Sequence, residues 1–313
     1  MAELRIACVT DEAYAPYCAA MLHGLLQQRP QGLTIHLLHA ADFPQPHLDA
    51  LRTLVERGGG RWQPVGVDTD AVAGLPRMAR IPPVMWLRVL LPDLLPRAER
   101  LLYLDVDTLA LGAVDELWNT DFDGQLIAAV DNVLHPRMVS RPAQLGLPPD
   151  APYFNSGVLL MDLDGMRRDG TPGKVIDCAR ARGTDLLWPD QDALNIVLAP
   201  RRKALHPRWN CQNSFFYWRE RSIEVLGRAA LDEAVTSPAL LHFEGPSWAK
   251  PWHGFCDHPY RAAWRSVQRA TGWDLPRSDR ALERVVGHLP AAVIGPLRSA
   301  LGYPRPRKPP AGA

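Results

Sequence analysis

The sequence predicts an α/β fold in which a mostly parallel central sheet is flanked by helices. Three observations support this prediction. Apolar runs of strand length alternate with helix-length amphipathic segments in the first part of the chain, an order typical of parallel sheets covered on both faces. The strand-like runs are almost wholly apolar, as strands buried on both faces are. The 313 residues, 47% of them hydrophobic, suffice for a large core.

The first elements alternate between strand and helix. Residues 4–10 (LRIACVT) and 33–40 (LTIHLLHA) are predicted strands, with a helix over 17–29 between them. A second helix is predicted over 46–60, because proline stands near its start and glycines follow its end. Residues 61–68 (RWQPVGVD) give a third strand. These elements together predict the parallel half of the sheet.

The next elements surround a strand that ends in charged residues. Residues 82–96 (PPVMWLRVLLPDLLP) are predicted to form one helix, and 101–104 (LLYL) a buried strand. The elements predicted after it are strands at 125–132 and 153–163, a helix at 190–199, a strand at 238–245 and a helix at 258–272.

Composition and the termini limit the classes of function. A formal net charge of +1 gives no support for nucleic-acid binding by the whole chain. The five cysteines are odd in number and lack zinc-ligand spacing, which favours a reducing compartment over a disulfide framework. The amino terminus lacks a signal-peptide pattern, and no apolar run is long enough to cross a bilayer. We therefore expect a cytoplasmic protein, with peripheral contact to the inner face of the cytoplasmic membrane as a further option.

Two carboxylates, Asp105 and Asp107, follow the predicted strand at 101–104. Charges at the end of a buried strand are costly unless they are neutralised. Alternate residues of a strand point to the same side, so the two side chains can converge at the carboxyl edge of the sheet, where ligands bind. A bound divalent cation would explain the pair. The alternative is that Asp107 and Thr108 start a turn, with Asp105 capping local backbone.

A second polar group lies in the segment LLHFEGPSWAKPW. His242 ends an apolar run, Gly245 permits a tight turn or a close approach of backbone to a ligand, and Lys250 follows. Taken alone, the histidine is a hydrogen-bonding residue and the lysine a solvated charge. Together with the two carboxylates, His242 completes a ligand set that suits Mn²⁺ better than Ca²⁺. Mg²⁺ is the alternative ion.

Four motifs follow one another along the chain: LLYLDVDTLALGAVDELW, YFNSGVLLMDLDGMR, WPDQDALNIVL and HFEGPSWAKPW. In this order and spacing they resemble the retaining nucleotide-sugar transferases of glycosyltransferase family 8, which include bacterial lipopolysaccharide galactosyl- and glucosyltransferases and glycogenin. The resemblance extends from Leu4 to Trp252. It implies a GT-A-type nucleotide-diphospho-sugar transferase fold. It also implies Mn²⁺-dependent transfer of galactose or glucose from a UDP-sugar to a saccharide or glycolipid acceptor, with retention of the anomeric configuration.

The resemblance implies roles for individual residues. The implied metal ligands are Asp105, Asp107 and His242. The implied donor-binding residues are Val9, Thr10, Asp11, Tyr14, Arg88, Asp105, Val106, Asp107, Asn155, Gly245 and Lys250. The implied catalytic residues beside the sugar are Asp131, Asn155, Asp190 and Gln191.

Several of these residues have alternative interpretations. Asn155 is also a turn-forming residue type, and Asp190 could be a helix N-cap. Gln191 or Asp190 would be the nucleophile of a double displacement. A front-face route, in which the protein supplies positioning and electrostatics, is the alternative. Lys250 follows His242 after a longer interval than in many relatives, which implies a longer loop that would bring Trp248 over the donor or acceptor.

Two other functions fit parts of the sequence. The segment LDVDTL also matches the first motif of haloacid dehalogenase phosphatases, with Asp105 as nucleophile and Asp107 as acid/base. That motif usually lies on an early strand, whereas here three predicted strands precede it. A non-catalytic sugar-nucleotide binding protein is the second alternative, and the complete set of metal-ligand residue types argues against it.

The C-terminal part differs in composition from the rest. We predict a GT-A catalytic domain over 1–256 and a helical, basic extension over 257–313 with a disordered end. Apolar residues recur at helical spacing between Leu282 and Leu301, among several arginines. This pattern predicts either a segment attracted to anionic lipid or a helix packed on the catalytic domain.

Overall fold

The computed structural model describes residues 3–29, 31–78, 83–148, 151–279, 296 and 306–307. The strands of this part of the chain are β1 (Leu4–Val9), β2 (Leu33–Ala40), β3 (Arg61–Val67), β4 (Arg100–Leu104), β5 (Thr108–Ala110), β6 (Ile127–Ala129), β7 (Val158–Asp162), β8 (Arg202–Ala204), β9 (Cys211–Gln212) and β10 (Leu240–His242). Its α-helices are α1 (Ala15–Gln28), α2 (Gln45–Arg57), α3 (Leu91–Leu94), α4 (Asp115–Trp118), α5 (Arg141–Gln144), α6 (Leu163–Asp169), α7 (Thr171–Arg182), α8 (Pro189–Leu198), α9 (Ser214–Tyr217), α10 (Arg219–Leu226), α11 (Arg228–Thr236) and α12 (Arg261–Ala270).

Seven strands form the main sheet in the order β3-β2-β1-β4-β7-β6-β8. Strands β1 to β4 are mutually parallel, β7 is antiparallel to both β4 and β6, and β6 and β8 are parallel. The predicted class, a mostly parallel sheet in an α/β fold, is therefore confirmed. The chain leaves β1 for β2 on one side and reaches β4 on the other, which creates a crevice at the carboxyl ends of β1 and β4.

A second sheet, in the order β5-β10-β9, forms beside the carboxyl end of β4. Strand β10 is antiparallel to β5, with His242 opposite Thr108, and parallel to β9. The backbone N–H of Phe243 donates to the carbonyl of Asp107 at 3.0 Å. This pairing places His242 beside the turn that follows β4, although the two segments are far apart in the sequence.

Hydrophobic side chains pack on both faces of the main sheet. Along β1, Ile6 belongs to the cluster on one face and Ala7 to the cluster on the other, as alternate residues of a strand buried on both sides should. Trp264 of α12 is fully buried in the same cluster as Leu22 of α1. The start of the predicted C-terminal extension thus packs on the main body, and the division at residue 256 stays a prediction.

The apolar positions predicted between Leu282 and Leu301 lie outside the described residues. Within the described part of the chain, every helix is too short or too polar to span a bilayer.

The helix predicted over 82–96 is wrong. The described residues there form a 3₁₀-helix, Pro83–Arg88, and the separate short helix α3. Pro92 lies in the first turn of α3. It has no N–H to donate to the carbonyl of Arg88, and its ring would collide with that carbonyl in a continuous helix. The break leaves Arg88 at the end of the 3₁₀-helix.

Candidate metal and donor site

A cavity of about 540 Å³ opens at the carboxyl ends of β1 and β4, a volume suited to a small-molecule ligand. It brings together all but one of the predicted site residues. Those that line it are Val9, Thr10, Asp11, Tyr14, Arg88, Asp105, Val106, Asp107, Asn155, Asp190, Gln191, His242, Gly245 and Lys250.

The exception is Asp131, which does not line this cavity. Its carboxylate pairs with Arg202, with Oδ1 and Nη2 2.8 Å apart. Burial raises the pKa of Asp131 above its ordinary value, although Arg202 opposes the change. The predicted role of Asp131 beside the sugar therefore finds no support in its position.

Asp105, Asp107 and His242 each offer one ligand atom, and these atoms lie within 4.8 Å of one another. His242 Nε2 is 3.2 Å from Asp107 Oδ1 and 3.8 Å from Asp105 Oδ2. The three side chains converge as predicted. The two carboxylates do not converge as alternate residues of one strand, however, so that part of the prediction is wrong. Strand β4 ends at Leu104, and both carboxylates belong to the turn that leads into β5. The Thr108 N–H closes this turn by donating to the Asp105 carbonyl at 3.1 Å.

Gly157 makes room for these ligands. A Cβ at this position would lie 2.2 Å from His242 Cε1 and 2.8 Å from Asp105 Oδ2. The Gly157 carbonyl also accepts from the Asp105 N–H at 2.8 Å. Two carboxylates and an imidazole around one small space fit a cation such as Mn²⁺ or Mg²⁺. Sequence reasoning missed Gly157, although it stands in the motif YFNSGVLLMDLDGMR.

Tyr103 and Arg88 hold the carboxylate of Asp105. The Tyr103 hydroxyl donates to Asp105 Oδ1 at 2.7 Å, and Arg88 Nη2 lies 3.1 Å from the same oxygen. The Arg88 guanidinium also lies over the Tyr103 ring, 4.8 Å from its centroid. The sequence interpretation treated Tyr103 as one residue of an apolar run, so its polar role was missed.

Arg88 joins Asp105 to Asp190. Its Nε lies 3.0 Å from Asp190 Oδ2, and its Nη1 donates to the Ser156 carbonyl at 3.0 Å. Burial alone would lower the pKa of Arg88, but Asp105 and Asp190 outweigh burial and raise it. The guanidinium is therefore a fixed cation in the wall of the cavity.

Lys250 contacts the carboxylate of Asp107. Burial would raise the pKa of Asp107, but Lys250 and His242 hold it well below its usual range. The loop that leads to the lysine turns at Gly245, whose φ of 96° favours glycine. The cavity is lined by Gly245 and not by Trp248, so the predicted placement of Trp248 over a ligand finds no support.

Gln191 is held at both ends of its side-chain amide. Its Oε1 accepts from the Ser156 N–H at 3.0 Å, and its Nε2 donates to the Tyr153 hydroxyl at 3.2 Å. Asp190 is buried beside it, and burial raises its pKa. The N-cap of α8 is Trp188, so the interpretation of Asp190 as a helix cap is wrong.

Aromatic and apolar side chains also line the cavity. They include Leu134, His135, Trp188 and Trp218, and the rings of His135 and Trp218 meet edge to face with centroids 4.8 Å apart. None of these residues was predicted. Leu134, His135 and Trp218 stand outside the four motifs, and Trp188 opens the motif WPDQDALNIVL without a carboxylate or amide that would have singled it out. The wall of the cavity thus combines charged side chains with aromatic and apolar ones.

The sheet order, the crevice between β1 and β4, and the Asp-Asp-His group with an adjacent lysine define a class of protein, the GT-A-like glycosyltransferases. Comparison with known proteins agrees. The model for glycosyl transferase family 8 matches residues 5–256, and the chain belongs to this family. This membership confirms the predicted family and enzyme class, and it excludes the phosphatase alternative.

Individual relatives resemble the chain over most of its length. General stress protein A of Bacillus subtilis (strain 168) is 28% identical over 277 residues, covering 87% of this chain and 95% of the relative. Lipopolysaccharide 1,2-glucosyltransferase of Escherichia coli is 26% identical over 271 residues, covering 84% and 77%. The structure of galactosyltransferase LgtC in complex with donor and acceptor sugar analogs matches with a TM-score of 0.78 at 23% identity, covering 89% of this chain and 99% of that one. At this identity the match shows the GT-A-like fold.

Proposed function

We propose that this family 8 enzyme transfers galactose or glucose from a UDP-sugar to a saccharide or glycolipid acceptor, with Mn²⁺ and with retention. The observation that best supports the proposal is the convergence of Asp105, Asp107 and His242 beside Lys250 in one cavity. The similarity to an E. coli lipopolysaccharide 1,2-glucosyltransferase supports a hexose donor and a glycolipid acceptor.

The nucleotide would bind at the end of β1. There Asp11 Oδ1 accepts from the Tyr14 N–H at 2.9 Å, which fixes the turn that follows the strand. Burial raises the pKa of Tyr14, so its hydroxyl stays protonated. Val9, Thr10, Asp11 and Tyr14 all line the cavity at this point, where they would form the uridine edge.

The diphosphate would lie beside the Asp-Asp-His group and Lys250. When bound there, Mn²⁺ would neutralise charge that develops on the departing UDP. Lys250 adds a compact ammonium group next to the same position. The backbone at Gly245 borders the cavity without a side chain in the way, which allows a close approach of phosphate oxygens.

The sugar would lie between Asn155, Asp190 and Gln191. Both ends of the Gln191 amide are hydrogen bonded, and an amide is a weak nucleophile. We therefore assign Gln191 a positioning role and favour the front-face route, in which the protein contributes orientation and electrostatic stabilisation. The fixed Arg88 cation beside Asp190 is part of this electrostatic contribution.

Thermal unfolding with UDP, UDP-glucose, UDP-galactose and UDP-N-acetylglucosamine, each with and without Mn²⁺, tests the proposal. A ligand at a hundred times its Kd stabilises the folded state by about 2.7 kcal/mol. We expect stabilisation that needs both UDP and Mn²⁺, is lost in Asp107→Ala and is retained in Asp164→Ala, which removes an exposed carboxylate from α6. No stabilisation by any UDP compound at saturating Mn²⁺ would contradict the proposal. The anomeric configuration of the product, read by NMR, tests retention.

We also propose that the enzyme is cytoplasmic and contacts the inner face of the cytoplasmic membrane through its C-terminal extension. A glycolipid acceptor would require such an approach. The part of the extension described at Arg307 lies against the main body, since its N–H donates to the Phe216 carbonyl at 2.9 Å and its guanidinium pairs with Glu220. Co-sedimentation with vesicles that contain anionic lipid, compared for the full chain and a chain ending at residue 279, tests the membrane contact.

A further inference from the structure

A chain of buried hydrogen bonds leads from the backbone of Gly157 to the imidazole of His242. The Gly157 N–H donates to Asn155 Oδ1 at 2.9 Å, and Asn210 Nδ2 donates to the same oxygen at 2.9 Å. Asn210 Oδ1 then lies 3.0 Å from His242 Nδ1. The side chains are buried, with residue exposures of 5% for Asn155, 0% for Asn210 and 4% for His242.

The first bond determines the direction of all the others. A backbone N–H can only donate, so the Asn155 atom that it meets must be the carbonyl oxygen. That oxygen can only accept, so Asn210 must turn its NH₂ group toward it. Asn210 therefore presents its own oxygen to His242, and Nδ1 of the imidazole must carry a proton.

The other ring nitrogen faces the carboxylates. His242 Nε2 lies 3.2 Å from Asp107 Oδ1 on the side of the ring away from Asn210. A histidine binds a metal through an unprotonated nitrogen, and the hydrogen bond at the opposite nitrogen decides which one that is. The hydrogen bonds through Asn155 and Asn210 thus leave Nε2 of the neutral imidazole unprotonated, so that this nitrogen can bind a cation.

We propose that Asn210 is a positioning residue that fixes the His242 tautomer and aims an unprotonated Nε2 at the cation site. This inference rests on the proposed metal-dependent function. Asn210 ends the 3₁₀-helix Pro207–Asn210 directly before β9, which pairs with β10, the strand of His242. Asn210 is therefore anchored directly before the strand that pairs with the strand of His242.

Three variants distinguish positioning from packing. Asn210→Leu removes the acceptor for Nδ1–H. Asn210→Asp keeps an acceptor there but loses the donor to Asn155, so it should unfold more easily while still orienting the imidazole. Asn195→Leu is the matched control, because Asn195 is also fully buried and hydrogen bonded, to the backbone of Phe154, but does not contact His242.

The first measurement is Mn²⁺ affinity, from the EPR signal of free Mn²⁺, with thermal stability recorded for each variant. Loss of a group that orients a metal ligand typically costs 10- to 100-fold in affinity. We expect a loss of this size in Asn210→Leu and near wild-type affinity in Asn210→Asp and Asn195→Leu, although all three lose stability. Unchanged affinity in Asn210→Leu, or affinities ranked by stability, would overturn the inference.

The second measurement reads the tautomer itself. In protein labelled with ¹⁵N-histidine, two-bond proton–nitrogen couplings at a pH where the ring is neutral should show Nδ1–H for His242 in the wild type and in Asn210→Asp. A mixed population is expected in Asn210→Leu, and an Nε2–H form in the wild type would overturn the inference. A wild type with the Nδ1–H tautomer but no Mn²⁺ affinity would instead overturn the proposed metal-dependent function, and with it the role given to the tautomer.

Discussion

Asp190 and Asp192, at the start of α8, are both buried beside an arginine but are held in different ways. Asp192 Oδ2 accepts from the N–H groups of Leu187 and Trp188 at 2.9 and 3.1 Å, while its Oδ1 accepts from the Tyr153 hydroxyl at 2.5 Å. It is also paired with Arg141. Asp190 Oδ2 lies 3.0 Å from Arg88 Nε, which makes an ion pair. This pair does not have hydrogen-bond geometry, and the same oxygen has no hydrogen-bond partner in the described part of the chain.

This difference separates a carboxylate that stabilises the fold from one that is available to a ligand. Asp192 is fully buried and does not line the cavity, whereas Asp190 does. A buried carboxylate without its full set of hydrogen bonds is costly. The arrangement around Asp190 is therefore expected to serve binding or catalysis, and that around Asp192 to serve stability.

The largest expected effect on stability comes from removing Asp192, the carboxylate whose oxygens all have hydrogen-bond partners. Asp192→Ala leaves Arg141 buried without its carboxylate and removes the acceptor of two backbone N–H groups. Loss of one partner of a buried ion pair typically costs about 3–5 kcal/mol. Urea unfolding should show a decrease of this size in the free energy of unfolding. A decrease below about 1 kcal/mol would remove the distinction between the two carboxylates.

The next effect is on catalysis. In Asp190→Asn, Arg88 keeps Asp105 and Ser156 as partners, so the free energy of unfolding should change by less than about 1 kcal/mol. Sugar transfer should fall about 10²- to 10³-fold, as it does when one preorganised group at a reaction centre is lost. The measurement is kcat with the donor identified by thermal stabilisation, beside urea unfolding of the same variant. A variant that loses stability without losing kcat would show that Asp190 is structural.

A smaller effect concerns His258, which is buried and has no charge partner within the described ranges of the chain. Burial lowers the pKa of His258 from 6.5 to about 3, so between these values the unfolded chain binds a proton that the folded protein excludes. Its stability contribution is present above pH 6.5 and is lost as the pH falls toward 3. Because of His258, the free energy of unfolding of the wild type should fall by about 2 kcal/mol between pH 7 and pH 5.

The His258→Gln variant isolates this effect from other titrating groups. Its free energy of unfolding, measured at several pH values, should fall less than that of the wild type over the same interval, by about 2 kcal/mol at pH 5. Parallel curves for the two proteins would show that His258 does not exclude the proton.

The sequence predicts the buried strands well but not what happens at their ends. Apolar runs such as 33–40 fix β2 at the same bounds as the structure, because a strand buried on both faces needs no distant partner to be recognised. The end of β4 at Leu104 was also predicted, but Asp105 and Asp107 lie in a turn and not on an extended strand. That turn is closed by the bond from the Thr108 N–H to the Asp105 carbonyl. The helix predicted over 82–96 is broken at Pro92.

The sequence motifs predicted most of the residues that line the site. They did not predict which of the neighbouring residues hold these side chains in place. Asp190 and Asp192 stand in the same short motif, and no local pattern tells them apart, because their arginines come from separate distant segments. Tyr103 and Gly157 read as ordinary members of strands. Asn210 has no motif at all, and its importance follows only from the hydrogen bond that it makes to His242.

The pairing of β10 with β5 determines when the cation site can exist during synthesis. Both carboxylates leave the ribosome long before β10, and the site is complete only when His242 pairs opposite Thr108. Domains generally fold as units, and the entropic cost of closing so long a loop must be met by the packing of the second sheet. A nascent chain therefore cannot use the complete three-ligand site to stabilise its fold before β10 has been made.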